Sequence, residues 1–134
     1  MPVNKLRYQI EYLKKHHVRI IPVATAVELI KQNRPLKHKY VVLTFDDVDE
    51  TLSTNACPVL KKLGNIPYTV FIVTSNTLRY DNGTRFATWH QLRNVLHSSN
   101  ATIGVHTNNM HYLVKNKPVL KYARNYNRFK KDYQ

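Results

Sequence analysis

The run Tyr40-Val41-Val42-Leu43-Thr44-Phe45 is almost unbroken in apolar and β-branched residues, and it stops at two consecutive carboxylates, Asp46 and Asp47. A strand covered on both faces reads this way, because neither face needs alternating polar residues. Tyr68 to Thr74 and Thr102-Ile103-Gly104-Val105-His106 read as two further strands. Helical patterns separate the three. One is expected from about Glu50 to Leu63, closed by Gly64, with Pro58 either kinking it or marking where its regular part begins. The other covers 88–96, where Thr88 and Gln91 have the spacing of a capped start. Upstream, Val3, Leu6, Ile10 and Leu13 recur at helical spacing over residues 3–16. Val18 to Val23 reads as extended. Thr25 and Glu28 have the form of a capping box for a short second helix, which Asn33-Arg34-Pro35 ends.

This alternation predicts an α/β domain of parallel strands with flanking helices, whose right-handed crossovers bring every strand's C-terminal end to one side. Active sites assemble on that rim. Asp46 and Asp47 end the first strand and His106 ends the third, so groups about 60 residues apart converge there by the same rule. Three core strands are too few to close a barrel.

A chain of 134 residues with 43% apolar content fits one small domain with a packed core. No apolar run approaches the roughly 18 residues of a membrane span, and no signal-peptide core opens the chain, so no transmembrane segment is expected. The single cysteine, Cys57, has no disulfide or thiolate partner and reads as a small buried hydrophobe. Lysine and arginine number 21 against 8 acids, a formal charge of +13 that favours polyanions. Much of the excess follows His111, where Lys115, Lys117, Lys121, Arg124, Arg128, Lys130 and Lys131 face only Asp132. A solvated helix face or frayed end accounts for it.

A hydrolytic divalent metal takes three protein ligands from His and Asp/Glu and leaves a position open for water. One aspartate with His106 and His111 can supply them. The two histidines are five apart, not the four of a helical zinc motif, so they must converge across a turn. Asn108-Asn109 suits such a turn. Paired aspartates also start helices, and two of seven histidines can be neighbours by accident; it is their joint placement at strand ends that favours the metal-site reading over these. His16, His17, His38, His90 and His97 read as exposed on helices or loops. Trp89 could stack on a sugar, but at the start of a sheet-packing helix it reads as a core or boundary residue.

Leu43-Thr44-Phe45-Asp46-Asp47 resembles the first motif of the NodB-type polysaccharide deacetylases, carbohydrate esterase family 4, and His106-Thr107-x-x-x-His111 resembles their second. Pro58-Val59-Leu60-Lys61-Lys62, Ile66-Pro67-Tyr68-Thr69-Val70-Phe71, Thr88-Trp89-x-Gln91-Leu92 and Ile103-Gly104-Val105-His106-Thr107 look like the branch acting on poly-β-1,6-N-acetylglucosamine in intercellular adhesion. The resemblance covers residues 40–113, with 3–37 as a lead-in. It implies part of a distorted β/α barrel over 1–134, residues 1–37 forming a helical lead-in and 38–113 the motif-bearing part. It further implies Asp46 as general base, and Asp47, His106 and His111 as ligands of a divalent metal, with zinc the expected ion. The implied substrate is an N-acetylglucosamine polysaccharide, attacked at its amide carbonyl, and the implied location is secreted or at the cell surface.

Two departures qualify the match. Val48 stands where many members carry glycine after the aspartate pair. After His111 there is no counterpart of the third motif, with its arginine and Pro-Tyr/Phe-Gly turn, or of the Leu-x-His that supplies the general acid. The chain therefore reads as a truncated domain of impaired activity whose C-terminal half is missing or comes from a partner chain. Two rival readings stand beside it: a noncatalytic basic module that holds an anionic polymer or nucleic acid through Tyr112, Tyr122, Tyr126 and Tyr133, and a degenerate deacetylase remnant. No recognised nucleic-acid motif is present, so no nucleic-acid partner is expected.

Overall fold

A computed structural model of the chain describes residues 2–74, 80–81 and 84–108, and its first element is the helix α1 (Val3–Lys15). The apolar stripe seen in the sequence is its buried side: Leu6 and Ile10 are almost fully enclosed, with Val3 packed beside them. Lys14 and Lys15 occupy the last turn, where cations complement the helix dipole. The Lys14 ammonium also donates to the Leu63 carbonyl, which ties the end of α1 to the middle of the chain.

The strand β1 (Arg19–Ile20) pairs in parallel with β2 (Tyr40–Val41), and α2 (Val23–Lys31) crosses between them. α2 begins two residues before the expected capping position. Pro22 is its N-cap, with φ already near the helical value, and no side chain caps it. Thr25 therefore lies inside the first turn, and the capping box expected there does not form. No side chain of α2 is buried, and Ile30 is 77% exposed.

The apolar run from Tyr40 to Phe45 is two strands, not one. After β2 the chain steps across Val42 and Leu43 and resumes as β3 (Thr44–Asp46), which pairs elsewhere. Nor is β3 covered on both faces, since Thr44 and Asp46 are exposed and Phe45 only partly buried. The helix expected from Glu50 to Leu63 also divides. Leu52–Ala56 forms a π-helical turn in which the Cys57 amide reaches back to the Leu52 carbonyl, and α3 (Cys57–Lys62) follows with Pro58 in its first turn. Pro58 has no N–H to offer a carbonyl one turn earlier, so it marks where the regular helix begins. Gly64, at φ +104°, closes the segment as expected.

Beyond it lie β4 (Tyr68–Val73), the antiparallel pair β5 (Tyr80–Asp81) and β6 (Thr84–Arg85), then α4 (Trp89–Ser98) and β7 (Ala101–Thr107). The sequence-read cap of α4 is present in full: Thr88 Oγ1 accepts from the Gln91 amide at 3.2 Å, and the Gln91 side chain accepts from the Thr88 amide at 2.8 Å. Trp89 is 46% exposed, so it is not a core residue. Cys57 is buried and free.

Strands β3, β4 and β7 form one parallel sheet in that order. The order advances without reversing, as in a barrel wall wound in one direction. Register partners share a face, and faces alternate along each strand. Tyr68, Val70 and Ile72 thus lie on one side, with Phe45 beside Val70, and they join Leu60, Leu92 and Val95 of the helices in the main core. The opposite side carries two registered rows: Thr44, Thr69, Thr102, then Asp46, Phe71, Gly104. Thr69 and Thr102 share a hydroxyl hydrogen bond at 2.8 Å across this face. Tyr68 is 1% exposed, and its hydroxyl bonds Ser99 Oγ at 2.9 Å. Burial pushes the phenol above the ordinary tyrosine range, the Ser99 bond working the other way and the neighbouring Cys57 adding to the rise. Among the described residues, no helix is long and apolar enough to cross a membrane.

Candidate active site

Asp46 is the last residue of β3 and points from the same face as Phe71 and Gly104. His106 is near the end of β7, and β4 lies between the two strands. Their side chains nevertheless approach, with His106 Nε2 4.0 Å from Asp46 Oδ2. A break in register explains part of this. Ile72 pairs with Val105, but the next residue of β4, Val73, pairs with Thr107, which leaves His106 as the extra residue of a bulge. Bulges bend a strand and re-aim a side chain. The space beneath the pair is shaped by Gly104: a Cβ there would come within 2.6 Å of the Phe71 ring, so the missing side chain is what lets that ring lie across β7.

Asp47 follows in an unusual conformation. The Val48 amide donates to the Asp46 carbonyl oxygen at 2.7 Å, a bond that spans a single residue, and Asp47 at its centre has φ +63°. This is a γ-turn of the rare, strained kind. The Asp47 side chain is partly buried, with its Oδ1 closed to solvent. Val48 also has a positive φ, +50°, and is buried. The chain is then fastened to the segment before α4: the Ala87 amide donates to the Val48 carbonyl at 3.0 Å, Asp49 bridges Phe86, and the Glu50 amide donates to the Arg85 carbonyl at 2.9 Å. Asp49 is turned to a local task, since its Oδ1 accepts from the Thr51 amide at 2.7 Å as the π-helical turn begins.

Asn108, one of the two asparagines expected to turn the chain after β7, lies in a bend and accepts from Thr74 Oγ1 at 2.6 Å. That bond ties the segment following His106 to the end of β4. His111, the second expected histidine, lies outside the described residues, as do the basic and tyrosine-rich positions beyond it. Among the described residues, no three His, Cys, Asp or Glu side chains stand close enough to hold a metal. The pair that does form joins one expected ligand, the His106 imidazole, a donor suited to zinc, to the carboxylate expected as base, Asp46.

A cavity of ≈ 140 Å³ opens beside Asp46, with Phe45, Asp49 and Asn55 among its walls. It includes neither Asp47 nor His106, and a larger concavity of ≈ 530 Å³ between Tyr8, Tyr12 and Leu43 includes none of the three. Phe71, Gly104 and Val48 were not singled out for their part in the rim from sequence. A glycine inside a strand pattern does mark a close approach by another group, and that signal at Gly104 was available.

Residues 33–134 match the polysaccharide deacetylase family. A poly-β-1,6-N-acetyl-D-glucosamine N-deacetylase of Staphylococcus aureus is 31% identical over 114 residues, which cover 84% of this chain and 39% of that protein. The enzyme of the same name from Escherichia coli K12 is 30% identical over 119 residues, covering 81% and 18%. Among solved structures, IcaB from Ammonifex degensii superposes with a TM-score of 0.80 at 30% identity, covering 90% of this chain and 52% of that one. A de-N-acetylase from Aggregatibacter actinomycetemcomitans does so at 0.72 and 27%, covering 87% and 48%. The chain thus spans about half the length of these solved relatives and less of the curated ones. Its parallel strands and flanking helices are those of part of the deacetylase barrel, and the chain belongs to the polysaccharide deacetylase family.

Proposed function

We propose that this chain carries the metal-binding and base-bearing part of an N-deacetylase that hydrolyses N-acetyl groups on a poly-β-1,6-N-acetylglucosamine polymer. The observation that carries the reading is the approach of Asp46 and His106 at the C-terminal rim of a parallel sheet, from strands that do not pair. The relatives' names supply the substrate class, and a secreted or cell-surface, biofilm-related setting follows from it.

In this reading Asp47, His106 and His111 hold a divalent metal, zinc, which when bound supplies Lewis-acid polarisation and acidified water. Asp46 remains unligated and accepts the proton of the attacking water as general base. It is more than half exposed, so solvent and an incoming acetamido group both reach it. Phe71, registered between Asp46 and Gly104, offers an apolar floor to the same space. No general acid is assigned to this chain. Positioned proton transfer contributes roughly 10²–10⁴-fold, and we assign that function to a C-terminal half, joined to this chain or supplied by a partner.

The test is a calorimetric zinc titration of the metal-free chain beside Asp47→Ala and His106→Ala. One equivalent bound by the native chain and lost in both variants supports the reading. Binding that ignores both substitutions refutes it. Salt-sensitive binding of an anionic polymer by all three proteins would move the noncatalytic basic module ahead.

A further inference from the structure

Asp47 and Val48 are consecutive residues with positive φ, and only the first has an obvious reason to be there. In this region the Cβ of an L-residue crowds the backbone, and a β-branched side chain is a true outlier. Such a conformation persists only where the surroundings over-determine it. At Val48 they do so from three directions. Its amide closes the γ-turn on the Asp46 carbonyl, its carbonyl accepts from the Ala87 amide, and its side chain is 4% exposed in the main core. A crevice with no room for water is bordered by Asp47 and Val48 together with Ile72, Val73, Phe86 and Leu92. The same residue thus grips the core and forms one end of the turn that holds Asp47.

We propose that Val48 is a positioning residue: its buried side chain anchors the γ-turn and so fixes the Asp47 carboxylate at the rim. This rests on the reading of Asp47 as a metal ligand. A glycine would adopt both dihedral angles without strain, but it would have nothing to hold in the crevice, and the turn would be free to relax to ordinary angles. Stability and positioning are therefore separable here. Replacing Val48 by glycine removes an unfavourable backbone state together with a core contact, whereas the carboxylate loses only its anchor.

The experiment is a zinc titration of the full chain and its Val48→Gly, Val48→Ala and Val48→Thr variants, with Asp47→Ala as reference. Amide exchange at Val48 and across β4 is followed by NMR without metal. Groups that orient a ligand are worth about 10–100-fold in metal affinity. Val48→Gly is expected to weaken zinc binding by that factor and to speed exchange at Val48 while the β4 amides stay protected. Val48→Ala should fall between, and Val48→Thr, which keeps the branched shape, should restore the affinity. If the glycine variant does not fold, the alanine and threonine pair decides the same question. Native affinity in the glycine variant, or in the alanine variant where it must stand in, overturns the proposal. If native and Asp47→Ala titrate alike, the ligand reading of Asp47 is what has failed. Exchange at Val48 then decides the anchor alone: acceleration sustains it, and unchanged exchange overturns it.

Discussion

His106 Nε2 lies 4.0 Å from Asp46 Oδ2 although β4 separates their strands, and the bulge in β7, where His106 is the extra residue of the ladder, contributes to that approach. Proximity of this kind makes the two side chains one unit while giving them different tasks. In the proposed reading the histidine must be neutral to ligate, and the aspartate must be ionised to accept a proton.

That division predicts opposite effects for two substitutions. Asp46→Asn keeps the shape of the side chain and removes its basicity, so zinc affinity should stay within a few-fold of native. Deacetylation by a full domain containing this segment should fall by roughly 10²–10⁴. His106→Ala should abolish zinc binding. Calorimetry and release of free amine from an N-acetylglucosamine oligomer check both, and loss of zinc in Asp46→Asn would reassign that carboxylate as a ligand.

Gly104→Ala tests the shape of the rim without touching a titratable group. The new methyl would meet the Phe71 ring at 2.6 Å, so the ring must leave its place over β7. Overpacking of this kind costs about 1–3 kcal/mol. Thermal denaturation should show that loss, and Gly104→Ala with Phe71→Leu should recover part of it by shortening the obstructing side chain.

Legibility in the sequence followed the range of the interactions. α1 and α4 were readable because an apolar stripe and a capping box lie within one or two turns of chain, and both are formed as read. The three parallel strands were readable as apolar runs. The division of Tyr40–Phe45 was not, since Val42 and Leu43 are as strand-like as their neighbours and only pairing with two different partners separates β2 from β3. The candidate site shows the same split. Asp46 and His106 could be placed at strand ends by counting, but the bulge depends on register with β4, and the γ-turn at Asp47 depends on where Val48 finds its crevice. Neither of those is local information.

The helix layer gives a stability prediction. Leu60 of α3 has no exposed surface and packs in the cluster that joins α1, the sheet and α4. Leu60→Ala should destabilise the chain by about 2–5 kcal/mol through lost burial and the remaining cavity. Urea denaturation measures this directly. A loss below about 1 kcal/mol would mean that the surrounding helices collapse into the space.

Tyr68 predicts how stability responds to alkaline pH. Burial raises its phenol above the ordinary value of 10.0, so the folded chain holds that proton more tightly than the unfolded one. The sign follows: where the native state binds more protons than the unfolded state, stability falls as pH rises. The contribution is fully present below about pH 10 and is lost as pH climbs above it towards the folded value. Tyr68→Phe removes the phenol and with it this dependence. It also removes the hydroxyl bond to Ser99, at a cost of about 0.5–1.5 kcal/mol at neutral pH. Ser99 Oγ still donates to the Val95 carbonyl at 2.7 Å, which keeps that hydroxyl satisfied and the cost near the lower end. Urea denaturation of the native chain and the variant between pH 8 and about 11.5 should therefore show native stability falling more steeply above pH 10. Parallel curves would mean that the phenol ionises as readily in the folded chain as in the unfolded one, and that water reaches Tyr68 between β4 and α4.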